Sequence, residues 1–356
     1  MMRENTHMEH FEDLLFESWG SELLEKFKVG EVDYTRKWDG APSIFFGKDE
    51  DGYWIARKGI FNKKPLKYYE RSDFDADPKF PEELKDAMWN TLVYLSRSYV
   101  GPENNMVQGD LMFYGGSDRW DADQTANGNV RVFHPNTIRY ETTVIPRSAV
   151  VGIVWHTAYT EDKVIYGAKI KEQFKITDEL WMINAHDEVS KPKDIDLPLR
   201  IVKSVVGRYS DLSDETKSLY KMWRNAQIKG TVDKNDNITD FMFDRMLKEV
   251  NSVKDADKKA EKIEKYRSIT NELTNVLSRL NNDYELMIDA KEMLLMELNN
   301  QPTCYKTSVL CTGGIYRSVD HEGYAMYTEG YAAKLVNREE FSKNNFSDDI
   351  VKGWQK

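Results

Sequence analysis

Cysteine is scarce in this chain of 356 residues, which contains only Cys304 and Cys311. The two are not spaced as a C-x-x-C pair, and no cluster of cysteine and histidine accompanies them. This pattern argues against a structural zinc site. Because disulfides accumulate in secreted proteins, the low number also favours a reducing, intracellular setting, and we expect a cytoplasmic location.

Long apolar runs are missing as well. No stretch reaches the roughly 18 apolar residues that a membrane-spanning helix needs, so the sequence predicts no membrane partner. Residues 1–10 are polar and lack the apolar core of a signal peptide. Hydrophobic residues make up 40% and charged residues 31% of the chain, which is an ordinary balance for a folded protein, and 356 residues are enough for two or more domains.

An excess of positive charge is the third absence. The chain has 50 lysines and arginines against 60 acidic residues, for a net charge of -10. Since phosphate binding depends on lysine and arginine, any surface for nucleic acid has to be local. The best local candidates are Lys58, Lys63, Lys64 and Lys67, which lie among aromatic residues that suit stacking. A solvated hairpin explains this segment equally well.

The most informative segment is Lys37-Trp38-Asp39-Gly40. A lysine two residues before Asp-Gly is the signature of enzymes that attach a nucleotide to their own lysine. Residues 32–35 read as a strand and Ser43–Phe46 as the next one, so Lys37 lies at a strand end. The adjacent glycine permits close approach of the backbone to a ligand. Attack requires a neutral amine, so we expect neighbouring positive charge to lower the pKa of Lys37 from its ordinary value of about 10.4.

Further short motifs follow along the chain, at Arg57, Asp110, Trp155, Glu322 and Lys334. Arg57 ends an apolar strand, Asp110 follows an apolar pair, and Trp155 lies in a β-branched run that reads as a buried strand. Glu322-Gly323 precedes the late lysine, and Glu329-Gly330 offers a second candidate for the same motif. We prefer Glu322, because it leaves room for a strand and a turn before Lys334.

With these motifs in this order, the chain resembles the covalent nucleotidyltransferase superfamily of ATP-dependent DNA ligases, RNA ligases and mRNA-capping enzymes. More narrowly, it resembles divergent RNA-ligase-like proteins of large tailed phages, which act inside a bacterial host. The resemblance implies ATP and Mg²⁺ or Mn²⁺ as cofactors. The roles that it implies are the adenylated nucleophile for Lys37, its orientation for Asp39, phosphate contact for Arg57, ribose contact for Asp110, the purine face for Trp155, the metal for Glu322 and the α-phosphate for Lys334.

Several positions depart from the pattern of the superfamily. Pro42 stands where DNA ligases usually have an arginine, and Asp110 where a glutamate is usual. His156 replaces an acidic residue after Trp155, and Ala332 occupies the place of a second late lysine. Pro42, Ala332 and the acidic net charge support an alternative in which the protein keeps the core but has lost ligation.

The periodicity of apolar residues predicts an α+β fold with an antiparallel nucleotidyltransferase core. We predict an N-terminal helical segment over 1–30, the core over 31–172 and 303–340, a helical insertion over 173–302 and a C-terminal helix or tail over 341–356. Within the insertion, the spacing predicts one long helix through Ile263 and Leu280 and a second through Met287 and Leu298. Only about 20 residues follow Lys334, so we expect no C-terminal OB-fold, as in RNA ligases.

The predicted function is that of an ATP-dependent polynucleotide ligase acting on RNA ends. It would adenylate Lys37, pass AMP to a 5′-phosphate and join that end to a 3′-hydroxyl. Two alternatives stay open. One is a nucleic-acid-binding or assembly protein with a degenerate core, and the other is transfer of AMP to an acceptor that is not a nucleic acid.

Overall fold

The structure, a computed structural model, describes residues 8–103, 105–115, 124–125, 128–161, 163–186, 189–328 and 331–353. The strands are β1 (Glu9–His10), β2 (Asp33–Lys37), β3 (Ser43–Asp49), β4 (Gly52–Ala56), β5 (Met106–Tyr114), β6 (Gln124–Thr125), β7 (Gly128–Asn129), β8 (Arg131–Phe133), β9 (Ile138–Thr142), β10 (Val151–Tyr159), β11 (Val164–Tyr166), β12 (Leu180–Asn184), β13 (Tyr305–Cys311), β14 (Tyr316–Ser318), β15 (Gly323–Thr328), β16 (Tyr331–Leu335) and β17 (Ile350–Val351). The α-helices are α1 (Gly20–Lys28), α2 (Arg71–Ala76), α3 (Glu82–Ser98), α4 (Asp196–Val205), α5 (Asp214–Ile228), α6 (Ile238–Asn251), α7 (Ala256–Thr274), α8 (Leu277–Asn299) and α9 (Arg338–Phe346). Short 3₁₀ helices occupy Phe11–Phe16, Lys58–Phe61 and Lys171–Gln173.

Three larger sheets carry the fold. Sheet A has the strand order β1-β16-β15-β2, sheet B has the order β11-β10-β5-β3-β4, and sheet C has the order β14-β13-β9-β8. Strand β12 joins sheet B on the same edge of β10 as β11, and β17 joins sheet C on β13. The pairings of β1 with β16 and of β10 with β12 are parallel, and the remaining pairings are antiparallel, which confirms the α+β class with mainly antiparallel sheets.

One face of sheet A forms a common core with the N-terminal segment and helices α4–α8. Tyr34, Tyr324 and Leu335 supply the sheet side of this core, and Leu15 and Leu294 lie among its buried residues. Apolar residues recur along each helix and pack into this shared interior, which is the arrangement that an amphipathic stripe favours. The N-terminal segment and the insertion therefore form one structural unit on the back of sheet A.

The boundary of the insertion differs from the prediction. Leu180–Asn184, assigned to the insertion, is strand β12 and extends sheet B, so the helices begin only at Asp196. Most of β12 is buried, and a short apolar run of this kind does not reveal from its pattern whether it is helix or strand.

The single helix predicted through Ile263 and Leu280 is wrong, because α7 ends at Thr274 and α8 begins at Leu277. The Thr274 hydroxyl donates to the Thr270 carbonyl at 2.7 Å, a local bond that competes with regular helix geometry. The apolar stripe continues across the break, since Leu273 and Leu280 lie in the same core.

The C-terminal helix begins at Arg338 rather than at 341, because the Asn337 side chain caps it by accepting from the Glu340 backbone N–H at 3.1 Å. Strand β17 follows and pairs with β13. Among the described helices, none combines the length and the apolar character that a membrane crossing requires.

Candidate active site

A cavity of about 300 Å³ lies between sheets A and B. Lys37, Asp110 and Lys334, which the sequence places in three separate motifs, all line it. Its volume is at the lower end of the range for small-molecule sites, about 300–1,000 Å³. The wall of the cavity also includes Thr35, Trp38, Ser43, Lys58, Gln108, Val154, His156, Thr157, Tyr159, Tyr166, Ala325 and Tyr327.

Sheet A presents its two lysines to the cavity because of strand register. Ala325 of β15 pairs with Thr35 of β2 on one side and with Lys334 of β16 on the other. Side chains alternate along a strand, so Thr35, Lys37 and Lys334 share one face, opposite the face that packs on the helices. Lys37 is the last residue of β2, as predicted.

Sheet B supplies the opposite wall by the same alternation. On β5, Gln108 and Asp110 face the cavity, whereas Val107 and Leu111 enter the core beneath the sheet. On β10 a bulge interrupts the register, because Trp155 pairs with Gly109 and the next paired residue is Thr157.

The residue left over at this bulge is His156, and the alternation changes phase there. Both His156 and Thr157 line the cavity as a result, and Ala158 returns to the core. His156 Nε2 lies 3.9 Å from Asp110 Oδ2, and its Nδ1 is 2.7 Å from the Thr157 hydroxyl. Burial lowers the pKa of His156, and the Asp110 carboxylate opposes that effect. A histidine facing the cavity was not predicted, since nothing in the apolar run indicates a bulge.

Asp39 fixes the loop that follows Lys37. Its carboxylate accepts from the Thr137 and Ile138 backbone N–H groups at 2.8 and 2.7 Å and from the Asn136 amide at 2.8 Å. The Asp39 N–H in turn donates to the Tyr140 hydroxyl at 2.8 Å. Asp39 therefore orients Lys37 through the backbone, and its carboxylate is held by the turn between β8 and β9.

Gly40 makes its close approach to sheet B rather than to the open cavity. A Cβ atom at this position would lie 2.5 Å from Asp110 Cβ and 2.9 Å from Met112 Sδ. The expected close contact with a ligand is thus corrected to a contact with the strand that carries Asp110. The glycine sets the separation between the Lys37 loop and β5.

Lys37 is paired with the carboxylate of Glu322. The two side chains form a direct salt bridge, with 32% of the Lys37 side chain and 4% of the Glu322 side chain exposed. Glu322 immediately precedes β15, whose first residue, Gly323, pairs with Lys37. Lys37 also lies 5.9 Å from the centroid of the Phe341 ring.

The charge environment of Lys37 is the reverse of the one expected. Burial favours the neutral amine, but Glu322, Asp110 and Asp39 outweigh it and raise the pKa of Lys37 above its ordinary value. Burial likewise raises the pKa of Glu322 to about 7, against the lowering effect of Lys37. The resting lysine is therefore an ammonium ion, held in that form by its partner.

Positive charge does reach the cavity, but at other lysines. Burial and the nearby Lys37 lower the pKa of Lys334, which forms no ion pair with the described residues. Lys58 is exposed at the rim of the cavity. In addition to burial, Lys37 and Lys58 both lower the pKa of Lys334, so the three lysines lie near one another. We call their part of the wall the cationic end of the cavity, and it suits phosphate groups.

Two predicted nucleotide contacts lie away from the cavity. Trp155 is fully buried and stacks on Phe174 with ring centroids 5.4 Å apart, so its ring is not available to a bound base. Arg57 lines a neighbouring groove, where its guanidinium lies 5.5 Å from the Phe80 ring centroid. Among the described residues, the tyrosines and the tryptophan that line the cavity are Trp38, Tyr159, Tyr166 and Tyr327.

Glu322, the carboxylate predicted to bind the metal, lies beside Lys37. Glu322 does not line the first cavity but borders a second one of about 290 Å³, which it shares with Glu292, Asp320 and Glu340. Among the described residues, no group of three or more histidine, cysteine or acidic side chains is arranged to hold a metal ion. Such a site suits Mg²⁺ only where substrate phosphates supply further ligands. The competing Glu329 lies outside the described residues.

The remaining lysines proposed for nucleic acid differ from one another. Lys63 and Lys64 are exposed. Lys67 instead forms a 2.5 Å salt bridge with Asp49 and lies 4.8 Å from the Trp54 ring centroid. Lys67 is therefore engaged in stabilising the β3–β4 hairpin.

Comparison with known proteins identifies a family but no characterised relative. A model of a family of unknown function, DUF6267, matches residues 5–349, and the chain belongs to that family. No curated protein and no solved structure matches it.

Proposed function

We propose that this DUF6267 protein is an ATP-dependent polynucleotide ligase that acts on RNA ends through a Lys37–AMP intermediate. One observation carries the proposal: Lys37, Asp110 and Lys334, distributed over nearly the whole chain, line a single cavity, and Glu322 joins them through its salt bridge with Lys37. The order of the motifs in the sequence and their convergence in space support the same chemistry independently.

The donor set of the cavity fits an adenine nucleotide. The cationic end formed by Lys37, Lys58 and Lys334 suits the phosphates, and the Asp110 carboxylate suits the ribose hydroxyls. Val154 and the tyrosines provide an apolar and aromatic wall for the base. A Mg²⁺ or Mn²⁺ ion held by Glu322 and the phosphates would supply positive charge at the transferring phosphate.

In the first step the neutral Lys37 amine attacks the α-phosphorus of ATP. A nitrogen–phosphorus bond forms, the bond to the pyrophosphate oxygen breaks, and pyrophosphate leaves. The ammonium proton has to be lost beforehand, because the protonated amine has no free electron pair. Glu322 favours the ammonium form, so weakening of its contact with Lys37 lowers the pKa of the amine.

In the next steps a 5′-phosphate oxygen attacks the same phosphorus and releases Lys37, leaving AMP joined to the strand through a pyrophosphate linkage. A 3′-hydroxyl then attacks the strand phosphate, and AMP leaves. Lys334 and Lys58 neutralise phosphate charge in each step, since they face the same end of the cavity.

A different acceptor is the second candidate, and the acidic cavity beside Glu322 favours it. Glu292, Asp320 and Glu340 line that cavity and repel a polyanion, whereas they attract a cationic acceptor such as an amine. Transfer of AMP to a non-nucleic-acid acceptor would use the same Lys37 intermediate and differ only in its second step.

The test is covalent labelling with α-labelled ATP and Mg²⁺, followed by denaturing electrophoresis. Wild type should retain the label, and the label should map to the Lys37 peptide. Lys37→Arg is the matched variant, because it keeps a cation opposite Glu322 but cannot form the intermediate; Lys37→Ala accompanies it. Labelled wild-type protein is then chased with an RNA strand that carries a 5′-phosphate and with a second strand that ends in a 3′-hydroxyl.

Joined product supports the ligase, and label that stays on Lys37 with both strands but is transferred to an added amine supports the other acceptor. Absence of label with all four nucleoside triphosphates, and with Mn²⁺ as well as Mg²⁺, refutes both. The purified protein is first checked by mass spectrometry for an AMP already attached, since that would mimic a negative result.

A further inference from the structure

A second cationic recess lies beside the nucleotide cavity. It has a volume of about 370 Å³ and shares Ser43 and Lys58 with the cavity. Its other walls come from the end of β4, the turn after it and the segment that follows α2. We call it the Arg57 groove, and it is lined by Pro42, Ser43, Arg57, Lys58, Gly59, Leu66, Tyr68, Asp77, Lys79 and Phe80.

The Arg57 groove is positively charged although the chain as a whole is acidic. Arg57, Lys58 and Lys79 line it, and none of the three forms an ion pair with a described residue. The one acidic residue in the lining, Asp77, is already engaged: its carboxylate accepts from the Tyr68 hydroxyl at 2.7 Å and from the Lys79 backbone N–H at 2.9 Å. The cationic side chains are therefore left for an anionic ligand.

The floor of the groove is rigid. The Arg57 guanidinium lies 5.5 Å from the Phe80 ring centroid, which limits where it points. Phe80 packs edge-on against Phe74 and Tyr68, at centroid distances of 5.2 and 5.1 Å. Because a guanidinium presents its donors as a planar fork that matches phosphate oxygens, a positioned arginine is suited to bind a phosphate group.

We propose that the Arg57 groove binds the terminal 5′-phosphate of the acceptor strand, next to the nucleotide carried by Lys37. This inference rests on the proposed function. Arg57 then contacts the 5′-phosphate of the acceptor and not the phosphates of ATP. Lys79 provides a second contact to that phosphate, and Lys58 lies where the two recesses meet. The shared Ser43 and Lys58 place the groove where an acceptor phosphate can reach the α-phosphorus of the adenylated lysine.

The same chemistry would also suit the β- and γ-phosphates of ATP, and kinetics separate the two sources. Lys37 adenylation requires only ATP, whereas AMP transfer from isolated Lys37–AMP protein requires only the strand. Both rates are measured for wild type and for the Arg57→Gln and Lys79→Ala variants, with an RNA strand that carries a 5′-phosphate.

For each variant we divide the rate of strand adenylation by the rate of Lys37 adenylation. This ratio should fall at least tenfold relative to wild type, because a charge-assisted contact with the strand is lost. Lys175→Ala removes an exposed lysine outside both recesses and serves as the control for net charge. An unchanged ratio in Arg57→Gln and Lys79→Ala overturns the proposal. A parallel fall of both rates also overturns it, because the groove would then serve ATP.

A binding measurement keeps the proposal testable even if Lys37 is never labelled. A fluorescent RNA strand with a 5′-phosphate is compared with the same strand ending in a 5′-hydroxyl. Wild type should prefer the phosphorylated strand about tenfold, and Arg57→Gln should abolish that preference. Equal affinity of wild type for both strands refutes the groove, whereas failure of labelling refutes the proposed function.

Discussion

Substitution of Glu12 should destabilise the protein strongly, because this carboxylate is the centre of a buried ion cluster. Its two oxygens contact Lys291 Nζ at 2.9 Å and Arg338 at 3.1 Å, and only 1% of its side chain is exposed. Burial raises the pKa of Glu12, but Lys291 and Arg338 outweigh it and lower the pKa to about 2 from 4.5. That difference corresponds to about 3 kcal/mol in favour of the folded state with Glu12 ionised.

Loss of one partner from a buried pair typically costs roughly 3–5 kcal/mol, because the other charge is left uncompensated. We therefore expect Glu12→Gln and Lys291→Met each to lower the free energy of unfolding by about 3 kcal/mol, measured by urea titration. The double variant should lose less than the sum, since it removes both charges of the pair. Glu25→Gln is the control: its partner Lys28 lies 2.5 Å away, but 66% of the Glu25 side chain is exposed, so the change should be small.

The pH dependence has a definite sign. Because the pKa of Glu12 is lower in the folded state, its contribution is complete above about pH 4.5 and is lost as the pH falls towards about 2. A cost below about 1 kcal/mol for Glu12→Gln, or strict additivity in the double variant, would refute the reasoning.

Three further predictions concern the site. Gly40→Ala should lower the free energy of unfolding, measured in urea, by roughly 1–3 kcal/mol, because the new methyl group would lie 2.5 Å from Asp110 Cβ. A decrease of less than about 0.5 kcal/mol would contradict this contact. Measured by calorimetry, Trp155→Phe should keep ATP affinity within about twofold, whereas Tyr327→Ala should weaken it about tenfold. The opposite order of effects would indicate that the adenine base contacts Trp155. Since the pKa of Lys334 is lowered, ATP affinity should decline with rising pH earlier than for an ordinary lysine, and Lys334→Arg should move the decline to higher pH; identical profiles would rule out this role.

Local patterns were sufficient to predict the elements on which the site is built. The strand that ends at Lys37, the strand that begins at Ser43 and the apolar run around Trp155 are all present. Each depends on residues close together in the sequence, where alternation and turn signals carry the information. The meeting of Lys37 with Glu322 also follows the order of the motifs, although its geometry depends on the pairing of β2 with β15.

The errors have a common physical origin, which is the direction of single side chains. Residues 151–155 are buried on both faces of sheet B, so alternation does not show which face Trp155 takes. The bulge at His156 then changes the phase of the strand without any signal in its apolar pattern. At the end of β4, the chain enters a 3₁₀ turn at Lys58, which turns Lys58 rather than Arg57 towards the nucleotide cavity.

The charge on Lys37 was mispredicted for a different reason. The Lys37 amine must be neutral when it attacks the phosphorus. The prediction assumed that its pKa is therefore already lowered in the resting protein. In the fold, the nearest charged group is the Glu322 carboxylate, and Glu322, Asp110 and Asp39 raise the pKa of Lys37. A sequence motif specifies which groups meet, but the balance among them depends on distances that only the folded chain sets.

The pairing of sheet A has a consequence for the synthesis of this protein. Glu9 of β1 pairs with Ala333 of β16, and Lys37 of β2 pairs with Gly323 of β15. Strands β1 and β2 therefore cannot form these pairings until residues about 300 positions later have been synthesised. At ribosomal speeds of about 5–20 residues per second, that interval is roughly 15–60 s. During this time β2 and the Phe11–Phe16 segment have no partner strands or helices to pack against. The nascent chain is therefore prone to aggregation and is a substrate for chaperones. Lys37 consequently acquires its partner only after a further 285 residues have been synthesised, and a product released before then carries Lys37 without the Glu322 carboxylate.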